Sequence, residues 1–161
     1  MDSVLSSNSF DLVSVHGNLN FFCTYRKARE AVQAPELFLR AWDECLELQV
    51  VDKEAWVASA LHRLTLFDWR YEIGMHNGLQ TVGGIVLAPD DDIHVGPCLS
   101  VFAQYVMPEY RNRGVSLRCM RLAERAAKDL GYTTLAYTHR LGDWRYETIY
   151  RRLHEGTKDR H

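Results

Sequence analysis

The sequence predicts a mixed α and β fold, and three observations carry that prediction. The hydrophobic period changes along the chain between the alternation of strands and the 3.6-residue spacing of helices. Leu99 to Met107 is a nearly continuous apolar run, which reads as a strand buried on both faces. That run passes through a short loop into an amphipathic helix and then a β-rich segment, so a strand–loop–helix–strand unit lies at the centre.

Residues 9–15 alternate apolar and polar side chains, as a half-buried strand does. Residues 20–32 read as a helix, with Phe21, Phe22, Tyr25, Ala28 and Val32 on one side. Pro35 opens a second helix carrying Leu37, Leu39, Trp42, Leu46 and Leu48. Asp52 is an N-cap for a third, Glu54 to Leu66. Arg70 to Met75 and Gln80 to Leu87 then read as strands. Between them Asn77-Gly78 supplies a hairpin turn. Ala88 to Asp92 reads as a turn before the Leu99–Met107 strand, which Pro108 ends.

Val115 to Leu130 is amphipathic: Val115, Cys119, Leu122, Ala123, Ala126 and Leu130 form its apolar side. Gly131 terminates it as a left-handed residue. Thr133 to Thr138 is a further strand, and about Asp143 to His154 reads as a final helix.

Composition narrows the class. The chain has 161 residues, 47% hydrophobic and 25% charged, which fits one globular domain over residues 1–161. It excludes a disordered, collagen-like or disulfide-framework chain. No apolar run reaches the ~20 residues of a membrane helix. The N-terminus lacks the basic head and apolar stretch of a secretory signal, so a cytoplasmic location is expected. Cys23, Cys45, Cys98 and Cys119 form no CxxC pair, so no metal site is expected. Asp90-Asp91-Asp92 reads as a solvated turn rather than a cation site.

The net charge of −2 hides an asymmetry: residues 108–161 carry an excess of five cations, whereas residues 1–107 carry an excess of seven acids. A basic segment of this kind suits an anionic ligand, although two halves of opposite sign also attract one another.

The basic segment opens with Arg111-Asn112-Arg113-Gly114-Val115-Ser116, between the buried strand and the helix. A helix N-terminus offers unpaired N–H groups and partial positive charge. Gly114 lets the backbone approach a ligand closely, and Arg111 and Arg113 add cations. Together they make a phosphate or pyrophosphate cradle. Neither GxxxxGK[ST] nor GxGxxG occurs, so it is not a P-loop or a dinucleotide fingerprint.

Val106 to Ser116 resembles the acetyl-CoA signature of the GNAT superfamily of N-acetyltransferases, Gln/Arg-x-x-Gly-x-Gly/Ala after a strand and opening a helix. Arg111 and Gly114 match, while Ser116 replaces the final Gly/Ala. The similarity covers roughly residues 70–156. It implies a central mixed sheet flanked by helices, with C-terminal strands shortened or missing. It also implies acetyl-CoA as co-substrate, with the backbone of Val106 and Met107 holding the pantetheine arm. The amides of Arg111, Asn112, Arg113, Gly114, Val115 and Ser116 would hold the pyrophosphate.

The family's Asn-x6-Tyr pattern corresponds to Asp143 and Tyr150, with Leu153 also matching and His154-Glu155 in place of Gly-Phe. By that resemblance Tyr150 would protonate the leaving thiolate, a role open to a phenol with a pKa of ~10. The alternative is a Tyr that packs a terminal helix on the sheet.

The strand before the loop lacks the Glu that many members carry; Gln104 stands there and cannot act as a base. Glu72, His139 or a water chain are the remaining candidates. The chain also leaves little room for two further strands after the last helix. The resulting open edge would call for a homodimer or a protein partner.

The expected activity is therefore acetyl transfer from acetyl-CoA to an amine, whose identity is not legible. A non-catalytic GNAT-like scaffold that binds a protein is the alternative. Nucleic-acid binding by residues 139–146 with Arg151 and Arg152 ranks below both, because Asp143, Glu147 and Glu155 dilute the patch.

Overall fold

Leu19 and Phe21 alternate with the less buried Asn20 and Phe22, and this period of two organises the start of the second strand. The computed structural model describes residues 11–154. Two strands, β1 (Asp11–His16) and β2 (Leu19–Lys27), form a hairpin turned at Gly17, whose φ is 61°. The helix expected over residues 20–32 is therefore a strand. Phe21 goes to the core while Phe22 lies on the other face, edge-on to His76.

Helix α1 (Glu36–Glu44) begins after Pro35 and passes into a short 3-10 turn, Leu46–Val50. Helix α2 (Lys53–Thr65) starts where expected, with the Asp52 carboxylate accepting from the Ala55 N–H at 3.3 Å. Strands β3 (Trp69–His76) and β4 (Thr81–Asp92) flank the predicted Asn77-Gly78 turn. The Asn77 side chain accepts from the N–H groups of Leu79 and Gln80, closing that turn.

Ala88 to Asp92 is strand rather than turn: it pairs with Gly96 to Ser100 of β5 (Gly96–Val106). The reversal falls instead at residues 93–95, where the Asp92 carboxylate accepts from the His94 N–H at 2.7 Å.

Helix α3 (Val115–Asp129) ends at Gly131, whose φ of 84° is the expected left-handed stop. Strand β6 (Thr134–Gly142) follows, and β7 (Arg145–Arg152) turns back against it. The final helix expected at about Asp143–His154 is thus a strand. Its expected end at Gly156 lies outside the described residues.

Among the described residues seven strands form one sheet in chain order. Every neighbouring pair is antiparallel except β5 and β6, which are parallel. The parallel step is where α3 crosses over.

One sheet face, with Ile73, Met75, Ile85 and Leu87, packs against Val115, Cys119, Leu122, Ala123 and Ala126 of α3 in a single apolar cluster. The opposite face presents Glu72, Gly74 and Gly84 to the α1–α2 side. A Cβ on Gly84 would lie 3.3 Å from the Ile73 carbonyl and 3.6 Å from Leu37 of α1, so the missing side chain lets this layer approach.

Candidate functional site

Two irregularities in β5 shape the site. Val86 pairs with Ala103 but Leu87 with Val101, so Phe102 is an extra, bulged residue. On its other edge β5 pairs with β6 only at Leu99–Leu135 and Ser100–Ala136. Beyond Ser100 the two strands diverge, and the sheet opens towards the loop before α3.

A narrow cleft fills this opening, lined by Glu44, Gln104, Val106, Arg111, Ser116 and Arg140. It adjoins a cavity of about 590 Å³ between the α1–α2 layer and β3–β5. Cys45, Gln104, Tyr105 and Arg140 line both spaces. The volume lies within the range of ligand sites.

At the cleft mouth the loop behaves as its sequence demands. Asn112 (φ 59°) and Gly114 (φ 73°) are both left-handed, and Gly114 is the residue from which α3 starts. No side chain caps that helix among the described residues. Asn112, Arg113, Gly114 and Ser116 are exposed, so the first-turn N–H groups face open space, whereas Val115 is buried in the core.

The other expected contacts are arranged differently. The Met107 N–H donates to the Val82 carbonyl at 2.8 Å, so it faces β4 and not the cleft. The Val106 carbonyl accepts from Arg111 Nε at 2.7 Å. The rest of the Arg111 guanidinium reaches Glu44 Oε2 at 2.7 Å and lies 5.4 Å from the Tyr105 ring centre. The Arg111 side chain thus braces the end of β5, and its backbone N–H, expected at the pyrophosphate, donates to the Pro108 carbonyl at 3.2 Å.

Tyr150 stands apart from the loop. It pairs with Ala136 on β6, which pairs with Ser100 on β5. Six residues of β5 separate Ser100 from Val106, a span of about 20 Å. The Tyr150 hydroxyl donates to Asp92 at 2.9 Å, which pushes its pKa up. With β7 a strand rather than a helix, the resemblance that assigned Tyr150 the thiolate no longer has its structural support.

Two phenols that the sequence reading passed over lie nearer, Tyr105 on both the cleft and the cavity and Tyr146 on the cavity. Tyr105 donates to Glu44, and burial together with that carboxylate holds its pKa well above the usual phenol value. Tyr146, opposite Arg140 on the hairpin, donates to Glu47 and is raised to about 12, chiefly by burial. Both remain protonated at neutral pH. Tyr105 left no signal in the sequence spacing, and for Tyr146 the signal was the β-rich composition of residues 145–152.

Glu47 is the centre of a small network. It accepts from Arg140 at 2.6 and 3.0 Å, and these bonds, with Tyr146, lower its pKa to about 2. Cys45 beside it is pushed up by burial, so it is a thiol rather than a thiolate nucleophile.

Of the candidate bases, Glu72 faces the cavity but is tied to Arg70 Nε at 2.7 Å and to the Gln33 N–H at 2.9 Å. His139 is exposed on β6 opposite Glu147 and lines neither space. Gln104 lines both, as an amide without basic function.

Comparison with known proteins agrees with this architecture. The acetyltransferase (GNAT) family model matches residues 31–143. No match was found among curated proteins. A solved aminoglycoside N-acetyltransferase in complex with CoA superposes with a TM-score of 0.55 at 13% identity, covering 76% of this chain and 79% of that one. An aminoglycoside 6'-N-acetyltransferase from Acinetobacter haemolyticus gives 0.52 at 18% identity, with 73% and 80% covered. A ribosomal-protein-alanine N-acetyltransferase from Brucella melitensis gives 0.50 at 12% identity, with 74% and 80% covered. These identities speak for the shared fold alone, whereas the family match spans most of the sequence. A sheet that opens beside a left-handed Gly at the head of α3, together with that match, makes this chain a member of the GNAT family of acetyltransferases.

Proposed function

We propose that this protein transfers an acetyl group from acetyl-CoA to an amine held in the large cavity. The observation that carries the proposal is the divergence of β5 from β6 next to the exposed N-terminus of α3, with the cavity adjoining it. Acetyl-CoA fits as a substrate there because the first-turn amides and the left-handed Asn112 and Gly114 offer donors to a pyrophosphate. The cleft where β5 leaves β6 is lined by Gln104, Val106 and Ser116 besides Glu44, Arg111 and Arg140, and a pantetheine arm would run along the Val106 wall.

The amine nitrogen attacks the thioester carbonyl, forming the C–N bond. The C–S bond then breaks and CoA leaves as a thiolate. The ammonium proton goes to water, and the thiolate takes a hydrogen bond or proton from the Tyr105 hydroxyl, the phenol that lines both spaces. Tyr105 must turn from Glu44 to do so.

The test is the melting temperature under an acetyl-CoA titration, paired with thiol release on an amine panel. Acetyl-CoA at ~100 times Kd should add about 2.7 kcal/mol of stability. Gly114→Asp should abolish the shift, because it sets a carboxylate and a Cβ against the phosphates. Absence of any shift at millimolar acetyl-CoA would overturn the proposal. Binding of CoA without turnover on any amine would favour a protein-binding scaffold.

A further inference from the structure

The electrostatics of the large cavity constrain what enters it. Its walls come from Leu37, Phe38, Leu48, Trp56 and Phe102, and Phe38 and Trp56 face each other with ring centres 6.2 Å apart. Glu72 is the one carboxylate on its lining among the described residues. That charge is already spent: Arg70, fully buried, holds it at 2.7 Å, and the Gln33 N–H takes its other oxygen. Two arginines, Arg63 and Arg140, lie on the same lining. Arg140 is balanced by Glu47 and Asp143, whereas Arg63 has no carboxylate partner among the described residues.

A ligand with several ammonium groups would surrender its hydration here and meet no free negative charge in return. Desolvated charge without a partner is costly, and an arginine on the rim adds repulsion. An apolar body is favoured by every Å² it buries against the aromatic wall.

The Gln33 side-chain oxygen is buried and accepts no hydrogen bond among the described residues. Gln33 packs its side-chain amide nitrogen against Gly74, in the layer that carries Glu72, so the residue lines the cavity with that oxygen enclosed.

We infer that the acceptor is a small primary amine with one cationic centre on an aromatic or branched apolar body, and not a polycation. This rests on the acetyl-transfer reading and names its substrate class. The bond changes are those given above: the amine nitrogen gains the acetyl carbon, CoA leaves with the sulfur electrons, and the surplus proton goes to solvent.

The experiment has a binding arm and a turnover arm. Binding of phenethylamine and tryptamine against spermidine and neamine is read by calorimetry on the full chain with CoA present. The first pair should bind at least roughly tenfold more tightly, the equivalent of about 1.4 kcal/mol. Ala41→Glu places a free carboxylate on the lining and should reverse that order.

Equal or tighter binding of spermidine or neamine by the wild type would overturn the inference, as would an Ala41→Glu variant with an unchanged order. The turnover arm separates the two readings. If phenethylamine binds in the predicted order yet no thiol is released, acetyl transfer fails and the cavity chemistry stands. If thiol is released fastest with spermidine, the transferase reading stands and the substrate class is wrong.

Discussion

Glu44 of α1 holds Arg111 across the mouth of the cleft, Oε2 to Nη2 at 2.7 Å, while its other oxygen takes the Tyr105 hydroxyl. One carboxylate thus engages both a cation and a phenol that border the proposed acetyl-CoA path. It sets a negative charge close to where the phosphates would lie. The expected outcome of Glu44→Gln is tighter CoA binding. Both side chains are about one third exposed, so the pair is worth only about 0.2–1 kcal/mol. Calorimetry should therefore show Kd falling about 1.5- to fivefold, and a weaker Kd would show that Glu44 positions Arg111 for the ligand.

Tyr105 and Tyr150 give opposite expectations. Tyr105→Phe keeps the ring against Arg111 and removes the hydroxyl beside the cleft. Turnover should fall at least roughly tenfold with little change in CoA affinity. Tyr150→Phe removes the bond to Asp92 and the 3.4 Å contact with His94, neither of which lines the cleft, and turnover should be unchanged. A loss with Tyr150→Phe alone would restore the assignment drawn from sequence.

That assignment shows where the sequence was legible. The α3 segment announced itself through Val115, Cys119, Leu122 and Ala126 at helical spacing, and Gly114 and Gly131 bracket it as its sequence requires. The Asn77-Gly78 turn and the Asp52 cap are local chemistry and were equally readable.

The misreadings share a cause. Phe21 and Phe22 are adjacent, so they satisfy a helical stripe and a strand with two apolar faces alike, and packing against β3 decides between them. Residues 145–152 carry Tyr146, Thr148, Ile149 and Tyr150, a β-rich set, but the hairpin reverses through Asp143 and Trp144 (φ 61°) after Gly142, and a Gly followed by Asp also reads as the start of a helix. The Glu44 and Glu47 contacts join positions 61–99 residues apart and leave no trace in spacing.

Glu47 makes the hairpin sensitive to acid. Its pKa falls from the ordinary 4.5 to about 2 in the folded protein, first through Arg140 and then Tyr146. A depressed carboxylate adds stability above its unfolded value and loses it as the pH drops through the folded one. The contribution should therefore be complete above about pH 5 and fade towards pH 2. Melting temperatures of the wild type and Glu47→Gln should differ at pH 6, and the gap should narrow steadily below pH 4 and close only below about pH 2. A gap that stays constant across that range would mean that Glu47 acts through packing alone.

The buried Arg70–Glu72 pair ties the cavity floor to the fold. Arg70 is fully buried; besides Glu72 it donates to the carbonyls of Glu30 and Ala31 at 2.7 and 3.0 Å, fastening the segment before α1 to β3. Removing one member of a buried pair strands the other without water, at about 3–5 kcal/mol. Arg70→Met should accordingly unfold at much lower denaturant, with the Glu30 and Ala31 carbonyls also left unpaired. Adding Glu72→Leu removes the stranded charge but not the lost carbonyl bonds, so the double variant should regain only part of the loss. Full recovery would show that the pair is replaceable by packing and that the carbonyl contacts contribute little. No recovery would place the whole effect in the tether to residues 30 and 31. Denaturant midpoints of the two variants and the wild type decide among these.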